Sequence, residues 1–270
     1  TLLGLSHQEW TASICEPKVD REKFLFTGTY PGLWNAPDNP PNRTRWYQSY
    51  VTTYLERDLR NILNVLRLRD FERFLRICAS RTGQMLNMSD MGRDVGISPT
   101  TAREWISVLE ASHQIVLLEP YYRSMGKRLA KSPKLYFCDT GLALFLAGFG
   151  SLPSVLHSPR MGAYWENHVI SQWLRWKHWH RPEASLWYWQ DQGKNEVDLL
   201  IELNGKLHPV ECKWKEAPSV QDTNGIHRLR RMYPYDLIGP AFIACRTGQP
   251  YRITPEVTAV GGWSFWDLET

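Results

Sequence analysis

Three kinds of sequence pattern are missing from this chain, and each absence excludes a class of protein. The five cysteines are scattered and form no CxxC pair, which argues against a paired-thiol zinc or redox site and for a reduced compartment. No GxxxxGK[ST] phosphate loop is present, so the chain by itself should not bind ATP. No apolar stretch is long enough to cross a bilayer. We therefore expect a cytoplasmic protein with no membrane partner and no ATPase activity of its own.

The composition is that of an ordinary globular protein. Hydrophobic residues make up 43% and charged residues 22% of 270 residues, a length that fits two domains. A net charge of +4 is too small to diagnose nucleic-acid binding, but the basic run KRLAKSPK at 127–134 is concentrated enough to suggest it. The chain begins TLLGLSHQEW, without methionine or the layout of a signal peptide, so we expect a part of a longer product.

Changes in composition along the chain predict its domain organisation. Residues 1–45 are rich in Gly, Pro and Asn, whereas apolar residues recur at helical spacing from Trp46 to Gly83 and predict at least two helices. A Gly/Pro/Ser-rich linker lies at about 148–159. The predicted segments are therefore 1–45, 46–150 and 151–270, with an α+β or α/β fold class.

Residues 86–138 have the pattern of a winged helix-turn-helix. A short helix capped by Ser89 would end at Gly96, and a second would begin with Ser98 as its N-cap and Pro99 at its first position. Two strands, IVLLEPYY and KLYFCD, would follow and form the wing.

This pattern predicts where DNA would be contacted. Thr100, Thr101 and Arg103 would face outward at the start of the second helix, where a recognition helix meets the major groove. Basic side chains of the wing would bind phosphates, which position a protein on DNA without reading its sequence. They are Lys127, Arg128, Lys131 and Lys134. Many winged helices only bind proteins or pack domains together, and the sequence leaves both readings open.

The last segment places acidic residues inside apolar elements. The helix in RMGAYWENHVISQWLRWKHWHRP carries Glu166, Ile170 and Trp173 at i, i+4 and i+7, on one face. Three strands follow, LWYWQD, EVDLLIEL and LHPVECKW, the last two joined by Asn204–Gly205, a strong signal for a two-residue hairpin turn.

That turn fixes which residues face each other. Asp198 would lie opposite Glu211, and Glu196 opposite Lys213. Because directly opposed like charges destabilise a sheet, a divalent cation would relieve the arrangement, and oxygen-only ligands favour Mg²⁺ or Mn²⁺. Lys213 would then orient or deprotonate a water, or stabilise charge on a phosphate. The alternative is a salt-bridge ladder on the surface of an edge hairpin.

Taken together, Glu166, the VD at Asp198 and the ECK from Glu211 to Lys213 resemble the Glu…Asp…Glu-x-Lys core of the PD-(D/E)xK nuclease superfamily. The resemblance covers about residues 165–215. It implies a small mixed sheet flanked by helices, catalytic roles for Glu166, Asp198, Glu211 and Lys213, and metal binding by Asp198, Glu211 and Glu166.

A second resemblance spans most of the chain. YLERDL at 54–59, KRLAKSPKLYFCDTGL at 127–142 and GAYWENHVI at 162–170 are similar to the C-terminal portion of a prokaryotic AAA+-type ATPase family. Its members have an ATPase domain, then a winged helix and a terminal domain similar to the PD-(D/E)xK fold. The resemblance implies that residues 1–45 are the tail of an ATPase core and that ATP binds only to a domain preceding this chain.

Three hypotheses follow for the function. The first is a Mg²⁺- or Mn²⁺-dependent DNA phosphodiesterase that uses the winged helix to hold DNA. The second is a non-catalytic module that links the ATPase domain of the same protein to DNA or to a protein, with Trp187, Trp189 and Trp214 filling the groove beside the site. The third is a structural domain that forms a homo-oligomer.

Overall fold

The computed structural model describes residues 4–13, 20–34, 42–54, 68–122 and 132–268. The chain forms two compact units. Unit 1 consists of Thr1–Val116 and Phe137–Ser158, and unit 2 of Leu117–Tyr136 and Pro159–Thr270. Helices and a mixed sheet together give the α+β class that the sequence predicts. Within the described ranges, no helix combines the length and apolar character that a bilayer span requires.

Unit 1 is built from short helices. They are α1 (His7–Ser13), α2 (Arg21–Thr27), α3 (Arg43–Thr53), α4 (Leu68–Ser80), α5 (Met88–Val95), α6 (Pro99–Ala111), α7 (Thr140–Leu146) and α8 (Leu152–Leu156). The helices α3 and α4 confirm the prediction of at least two helices between Trp46 and Gly83. Trp105 of α6 is buried against Phe71 and Phe74 of α4 in edge-to-face contacts, which fixes the two helices together.

The turn between α5 and α6 follows its sequence signals, with one correction. Gly96 ends α5 in the left-handed conformation (φ 87°), and Ser98 caps α6 by accepting a hydrogen bond from the backbone N–H of Thr101. The N-cap of α5 is Asn87, not Ser89, because the Asn87 side chain accepts from the N–H groups of Ser89 and Asp90. Two paired strands follow, β1 (Ile115–Leu118) and β2 (Lys134–Phe137).

Unit 2 contains a six-stranded sheet in the order β3-β4-β5-β6-β8-β7. Its strands are β3 (Ser185–Gln190), β4 (Glu196–Leu203), β5 (Lys206–Cys212), β6 (Ala241–Cys245), β7 (Tyr251–Thr254) and β8 (Val257–Gly261). The strands β3, β4 and β5 run antiparallel, β6 is parallel to β5 and to β8, and β7 is antiparallel to β8. The parallel β5–β6 connection passes through α10 (Asn224–Met232), as a crossover requires.

The β4–β5 hairpin has the predicted register. Asn204 and Gly205 form the turn with positive φ values of 51° and 72°, and the pairs run from Leu203 with Lys206 to Leu199 with Val210. The next step along this register brings Asp198 toward Glu211. Because β5 ends at Cys212, the ladder does not extend to a Glu196–Lys213 pair.

The segment after β1 belongs with unit 2, which a linear division of the chain at 46 and 151 does not anticipate. Pro120 forms a parallel bridge with Tyr188 of β3, and the backbones of Glu119 and Tyr121 hydrogen bond to Tyr188. These bonds pair the segment after β1 with β3, which is an edge strand of the sheet. They thereby place β2 near this edge. As a result, Lys134 and Tyr136 belong to unit 2.

Two helices cover the part of the sheet that carries the acidic residues. The long helix α9 (Met161–His180) contacts β5, and Trp165 donates a hydrogen bond to the carbonyl of Ala244 in β6. The helix α10 contacts β4 and β5 through the buried Ile226 and Leu229. The acidic residues of β4 and β5 therefore lie at the junction of the sheet with both helices.

Candidate metal centre

Glu166 brings a carboxylate from α9 into this junction. Its side chain is 14% exposed, and one oxygen, Oε1, accepts hydrogen bonds from the hydroxyl of Tyr136 and from Lys134 Nζ at 3.1 Å. Ile170 and Trp173, on the same face of the helix, are fully buried. The helical spacing therefore predicted correctly that Glu166 points inward.

Two carboxylates of β4 lie on the same side of the strand. Glu196 and Asp198 are two residues apart, so their side chains share a face. Each of them and Glu166 offers an oxygen within 4.8 Å of the others. Asp198 is 8% exposed, and its Oδ2 accepts a hydrogen bond of 2.8 Å from the backbone N–H of Cys212. The hydrogen bond from Cys212 connects Asp198 to the last residue of β5.

Glu211 and Lys213 complete the cluster from β5 and the residue after it. Glu211 is 5% exposed, lies near the charge of Asp198, and accepts a hydrogen bond from Lys213 Nζ at 2.9 Å. The side chain of Lys213 is 31% exposed and is the more accessible of this pair. The cluster therefore reaches solvent at Lys213 and at Glu196, whose side chain is 27% exposed, while Glu166, Asp198 and Glu211 are largely covered.

Burial and crowding change how the carboxyl groups titrate. The pKa of Glu166 is raised to about 7: burial raises it, the charge of Lys134 lowers it, the charge of Asp198 raises it, and the hydrogen bond from Tyr136 lowers it. Burial, followed by the nearby charge of Asp198, raises the pKa of Glu211 well above its ordinary value, against the influence of Lys213. Close-packed carboxylates that cannot all ionise are a setting in which a divalent cation replaces protons.

The two lysines respond in the opposite sense to their carboxylate neighbours. Burial lowers the pKa of Lys134, but Glu166, Asp198 and Glu196 together raise it above its ordinary value. Glu211 and Asp198 likewise raise the pKa of Lys213 over the effect of burial. Both lysines are therefore charged at neutral pH, and two ammonium groups face the four carboxylates of Glu166, Glu196, Asp198 and Glu211.

Gly225 lets α10 approach the cluster. A Cβ atom at this position would overlap the carbonyl oxygen of Glu196 and Oε1 of Glu211, so no larger residue fits without a shift of the backbone. Gly225 lies in the first turn of α10. The close contact thus places the start of this helix against the Glu211 side of the cluster.

The structure corrects two predictions about individual residues. Lys134 does not project from an exposed wing toward DNA: its side chain is 4% exposed and forms ion pairs with Glu166 and Glu196. Glu196 does not pair with Lys213, because its described partners are Lys134 and Gln190. Thr100 and Arg103 are exposed and Thr101 is half-buried at the start of α6, while Lys127, Arg128 and Lys131 lie outside the described residues.

The other residues of the site could hardly be predicted from local sequence patterns. Glu196 precedes Asp198 by two positions, which is the spacing of neighbours on one face of a strand. Tyr136 and Lys134 have the same spacing, but nothing local connects β2 with α9. Gly225 carries no motif. These contacts arise from the fold, which brings together residues far apart in the chain.

The donor set fits a hard divalent cation. Carboxylate oxygens that approach within 4.8 Å could be drawn around one ion by small side-chain movements, since Mg²⁺ binds oxygens at about 2.0–2.1 Å. Asp198 is central because it adjoins both Glu196 and Glu211. Each side of the cluster already has a lysine, but Lys134 is 4% exposed between Glu166 and Glu196, whereas Lys213 on Glu211 is 31% exposed and has room to turn toward solvent. The Asp198–Glu211 side is therefore the better position for an ion.

Comparisons with known proteins divide the chain between residues 152 and 161. Residues 19–152 match the family model described as domain of unknown function DUF8612, and residues 161–265 match domain of unknown function DUF4143. DUF4143 is typically found in proteins associated with AAA ATPases. The acidic residues of α9, β4 and β5 all lie within the region similar to DUF4143.

Two similar curated proteins come from mycobacteria. They are the uncharacterized protein Mb2031c of Mycobacterium bovis and the uncharacterized protein Rv2008c of Mycobacterium tuberculosis. Each is 30% identical over 199 residues, which cover 74% of this chain and 44% of the relative. The chain thus spans less than half the length of the curated relatives it matches. No solved structure matches.

Proposed function

We propose that unit 2 is a nuclease-type domain that hydrolyses DNA phosphodiester bonds with Mg²⁺ or Mn²⁺. The observation that carries this proposal is the convergence of Glu166, Asp198 and Glu211 with Lys213 at one point of a mixed sheet. The order of elements supports it, because α9 is followed by the antiparallel β3–β4–β5, then by α10 and the parallel β6. This order is similar to the small mixed sheet flanked by helices on which the PD-(D/E)xK superfamily carries its motif, and it supports the proposal to that extent.

Each residue of the cluster has a role in this proposal. Asp198 and Glu211 would hold the ion, and Glu166 would support it from α9. The bound cation would supply charge neutralisation and activation of water. Lys213, held charged by Glu211 and 31% exposed, would stabilise negative charge on the phosphate rather than act as a base.

The helices α5 and α6 would hold the DNA. Ser98 and Pro99 begin α6 so that Thr100 and Arg103 face solvent, as in the recognition helix of a winged helix-turn-helix. The match of residues 161–265 to DUF4143 supports an ATPase domain elsewhere in the same protein as the partner of this fragment.

Cleavage of plasmid and single-stranded DNA by the 270-residue chain tests the nuclease proposal. With Mn²⁺ or Mg²⁺, we expect cleavage that falls at least about 100-fold in Lys213→Ala and Asp198→Ala. Lys206→Ala and Asp236→Ala are matched controls, because both residues are exposed. Lys206 follows the turn of the β4–β5 hairpin, and Asp236 lies after α10. Cleavage that is equal in all variants would come from a contaminant and would contradict the proposal.

DNA binding can be tested apart from cleavage. Arg103→Ala should weaken binding to duplex DNA several-fold and lower the dependence of binding on salt by about one counterion, as expected for one phosphate contact. Arg73→Ala provides the control, since Arg73 is exposed on α4, outside the two helices proposed to hold DNA. Fluorescence anisotropy over a range of salt concentrations makes the measurement. Equal effects of the two substitutions would contradict the proposal that α6 is the recognition helix.

A non-catalytic recognition module is the second candidate, and the burial of the cluster favours it. Asp198 and Glu211 are 8% and 5% exposed, and Lys134 already neutralises part of the site. Base stacking at the neighbouring tryptophans is less favoured: Trp189 is buried, and the Arg246 guanidinium covers the ring of Trp214 at 4.5 Å. DNA or protein binding that is unchanged by Asp198→Ala, with no cleavage, would select this candidate.

A further inference from the structure

The ammonium group of Lys134 lies among the three carboxylates that are close enough to hold a metal ion. Its Nζ is 3.1 Å from Glu166 Oε1 and forms a second ion pair with Glu196 Oε1. Asp198, the third carboxylate, also attracts it. The lysine therefore occupies the position at which these three side chains would coordinate a cation.

Lys134 is held there by its surroundings as well as by charge. Tyr136, two residues along β2, donates to the same oxygen of Glu166. The hydroxyl of Tyr188 donates to the carbonyl of Ser132 at 2.8 Å, and the Lys134 ammonium lies 5.5 Å from the centre of the Tyr188 ring. With 4% of its side chain exposed, Lys134 has little room to swing into solvent.

We propose that Lys134 is a built-in cation that takes the place of a second metal ion. The site then binds one divalent ion, on the Asp198–Glu211 side, while Lys134 remains ion-paired with Glu166 and Glu196. The number of ions rests on the proposed function, whereas the position of Lys134 does not. An ammonium and a divalent cation repel each other strongly at a separation of a few ångströms in a buried site, so both cannot share the same oxygens.

This assignment separates two positions in the cluster. The first, between Glu166 and Glu196, belongs to Lys134. The second, between Asp198 and Glu211, has beside it Lys213, whose side chain is 31% exposed. Removing the charge of Lys134 should turn the first position into a second metal site, because the carboxylates would remain close together.

Calorimetric titration of Mn²⁺ into the whole chain measures this directly. Lys134→Met keeps an unbranched side chain of four heavy atoms and removes the charged ammonium group, and Lys206→Met makes the same change at an exposed lysine. We expect one ion in the wild type and in Lys206→Met, and two ions in Lys134→Met. The same number and affinity of ions in all three proteins would overturn the proposal.

A double variant locates the new ion. Glu196→Gln removes one carboxylate of the first position, so Lys134→Met with Glu196→Gln should bind one ion again. Two ions in the double variant would overturn the proposal, because the second would then bind elsewhere. If Lys134→Met unfolds in EDTA, refolding is followed as Mn²⁺ is added. Recovery of the fold with Mn²⁺ supports the proposal, and failure to recover contradicts it.

The same titration distinguishes this proposal from the proposed function. No ion in the wild type but one in Lys134→Met would support the built-in cation and contradict the metal-dependent nuclease. One ion in both would keep the nuclease and overturn the role of Lys134. No ion in either protein would overturn both.

Discussion

A single buried carboxylate in unit 1 and a group of buried carboxylates in unit 2 are satisfied in different ways. Asp139, the N-cap of α7 in unit 1, accepts four hydrogen bonds: from the N–H and hydroxyl of Thr29, the hydroxyl of Tyr47 and the N–H of Leu142. The donors are all neutral. In unit 2, the cluster around Asp198 brings four carboxylates against two lysines, with a pKa raised to about 7 at Glu166.

The difference distinguishes a structural carboxylate from a candidate binding site. Asp139 joins α2, α3 and α7: four neutral donors satisfy its oxygens, and the Arg43 guanidinium of α3 supplies a nearby positive charge within the same unit. The carboxylates of unit 2 face each other, and like charges at such distances raise the free energy of the folded state unless a cation or proton is bound. The first arrangement stabilises unit 1 by itself, whereas the second depends on conditions.

Asp139→Asn should have the largest effect on stability. An amide replaces one acceptor oxygen by a donor, which would face Thr29, Tyr47 or Leu142 without a suitable partner. We expect a loss of about 3 to 4 kcal/mol in the free energy of unfolding, measured with urea, and the same loss with EDTA or Mn²⁺. A loss that depends on Mn²⁺ would remove the contrast between Asp139 and the cluster.

The pH dependence of stability in EDTA should show the next largest effect. Glu166 has a pKa of about 7 in the folded state and an ordinary value of 4.5, so the folded state binds more protons between these values. Its contribution is fully present below about pH 4.5 and is lost as the pH rises through 7.

Relative to Glu166→Gln, wild-type stability should therefore fall by about 2 to 3 kcal/mol between pH 4.5 and 8. Urea unfolding of both proteins over this range, in EDTA, gives the difference. Parallel curves for the two proteins would show that the Glu166 carboxyl has an ordinary pKa in the folded protein. The contrast between the cluster and the structural carboxylate of Asp139 would then fail.

Gly225→Ala tests how closely α10 approaches the cluster. The added methyl group overlaps the Glu196 carbonyl and Glu211, so we expect a loss of about 1 to 3 kcal/mol in unfolding free energy. Gly162→Ala is the control, because its Cβ would meet open space in α9 and should be neutral or stabilising by up to about 1 kcal/mol. Similar results for both substitutions would contradict the close packing.

Glu211→Gln should have the smallest effect on stability. Burial and the nearby charge of Asp198 raise the pKa of Glu211 well above its ordinary value, which favours the protonated form, and glutamine has nearly the same shape as that form. We expect a change within about 1 kcal/mol in EDTA, with Mn²⁺ affinity lowered at least about 10-fold. A loss of stability as large as that of Asp139→Asn would show that Glu211 is structural.

The local parts of this account could be read from the sequence. Asn204–Gly205 fixed the register that brings Asp198 toward Glu211, Ser98 and Pro99 marked the start of α6, and helical spacing turned Glu166 inward. Each of these depends on residues within a few positions of one another. The sequence therefore predicted three of the cluster's carboxylates and Lys213.

The long-range parts could not be read in this way. Lys134 appeared as one more residue of a basic run, because charge patterning does not show which lysine the fold buries. Its position depends on the segment after β1 joining the edge of β3 at Tyr188. Glu196 was assigned to Lys213 because the hairpin register was extended beyond Cys212, where β5 ends.

A crystal structure of the chain soaked in Mn²⁺ tests the central claim most directly. The anomalous scattering of manganese locates the ion without assuming its ligands. We predict one ion bound by oxygens of both Asp198 and Glu211 at about 2.0–2.2 Å, with Lys134 still between Glu166 and Glu196. A crystal without manganese at these carboxylates, or with manganese only at exposed acidic residues, would contradict the claim that the cluster is a metal centre.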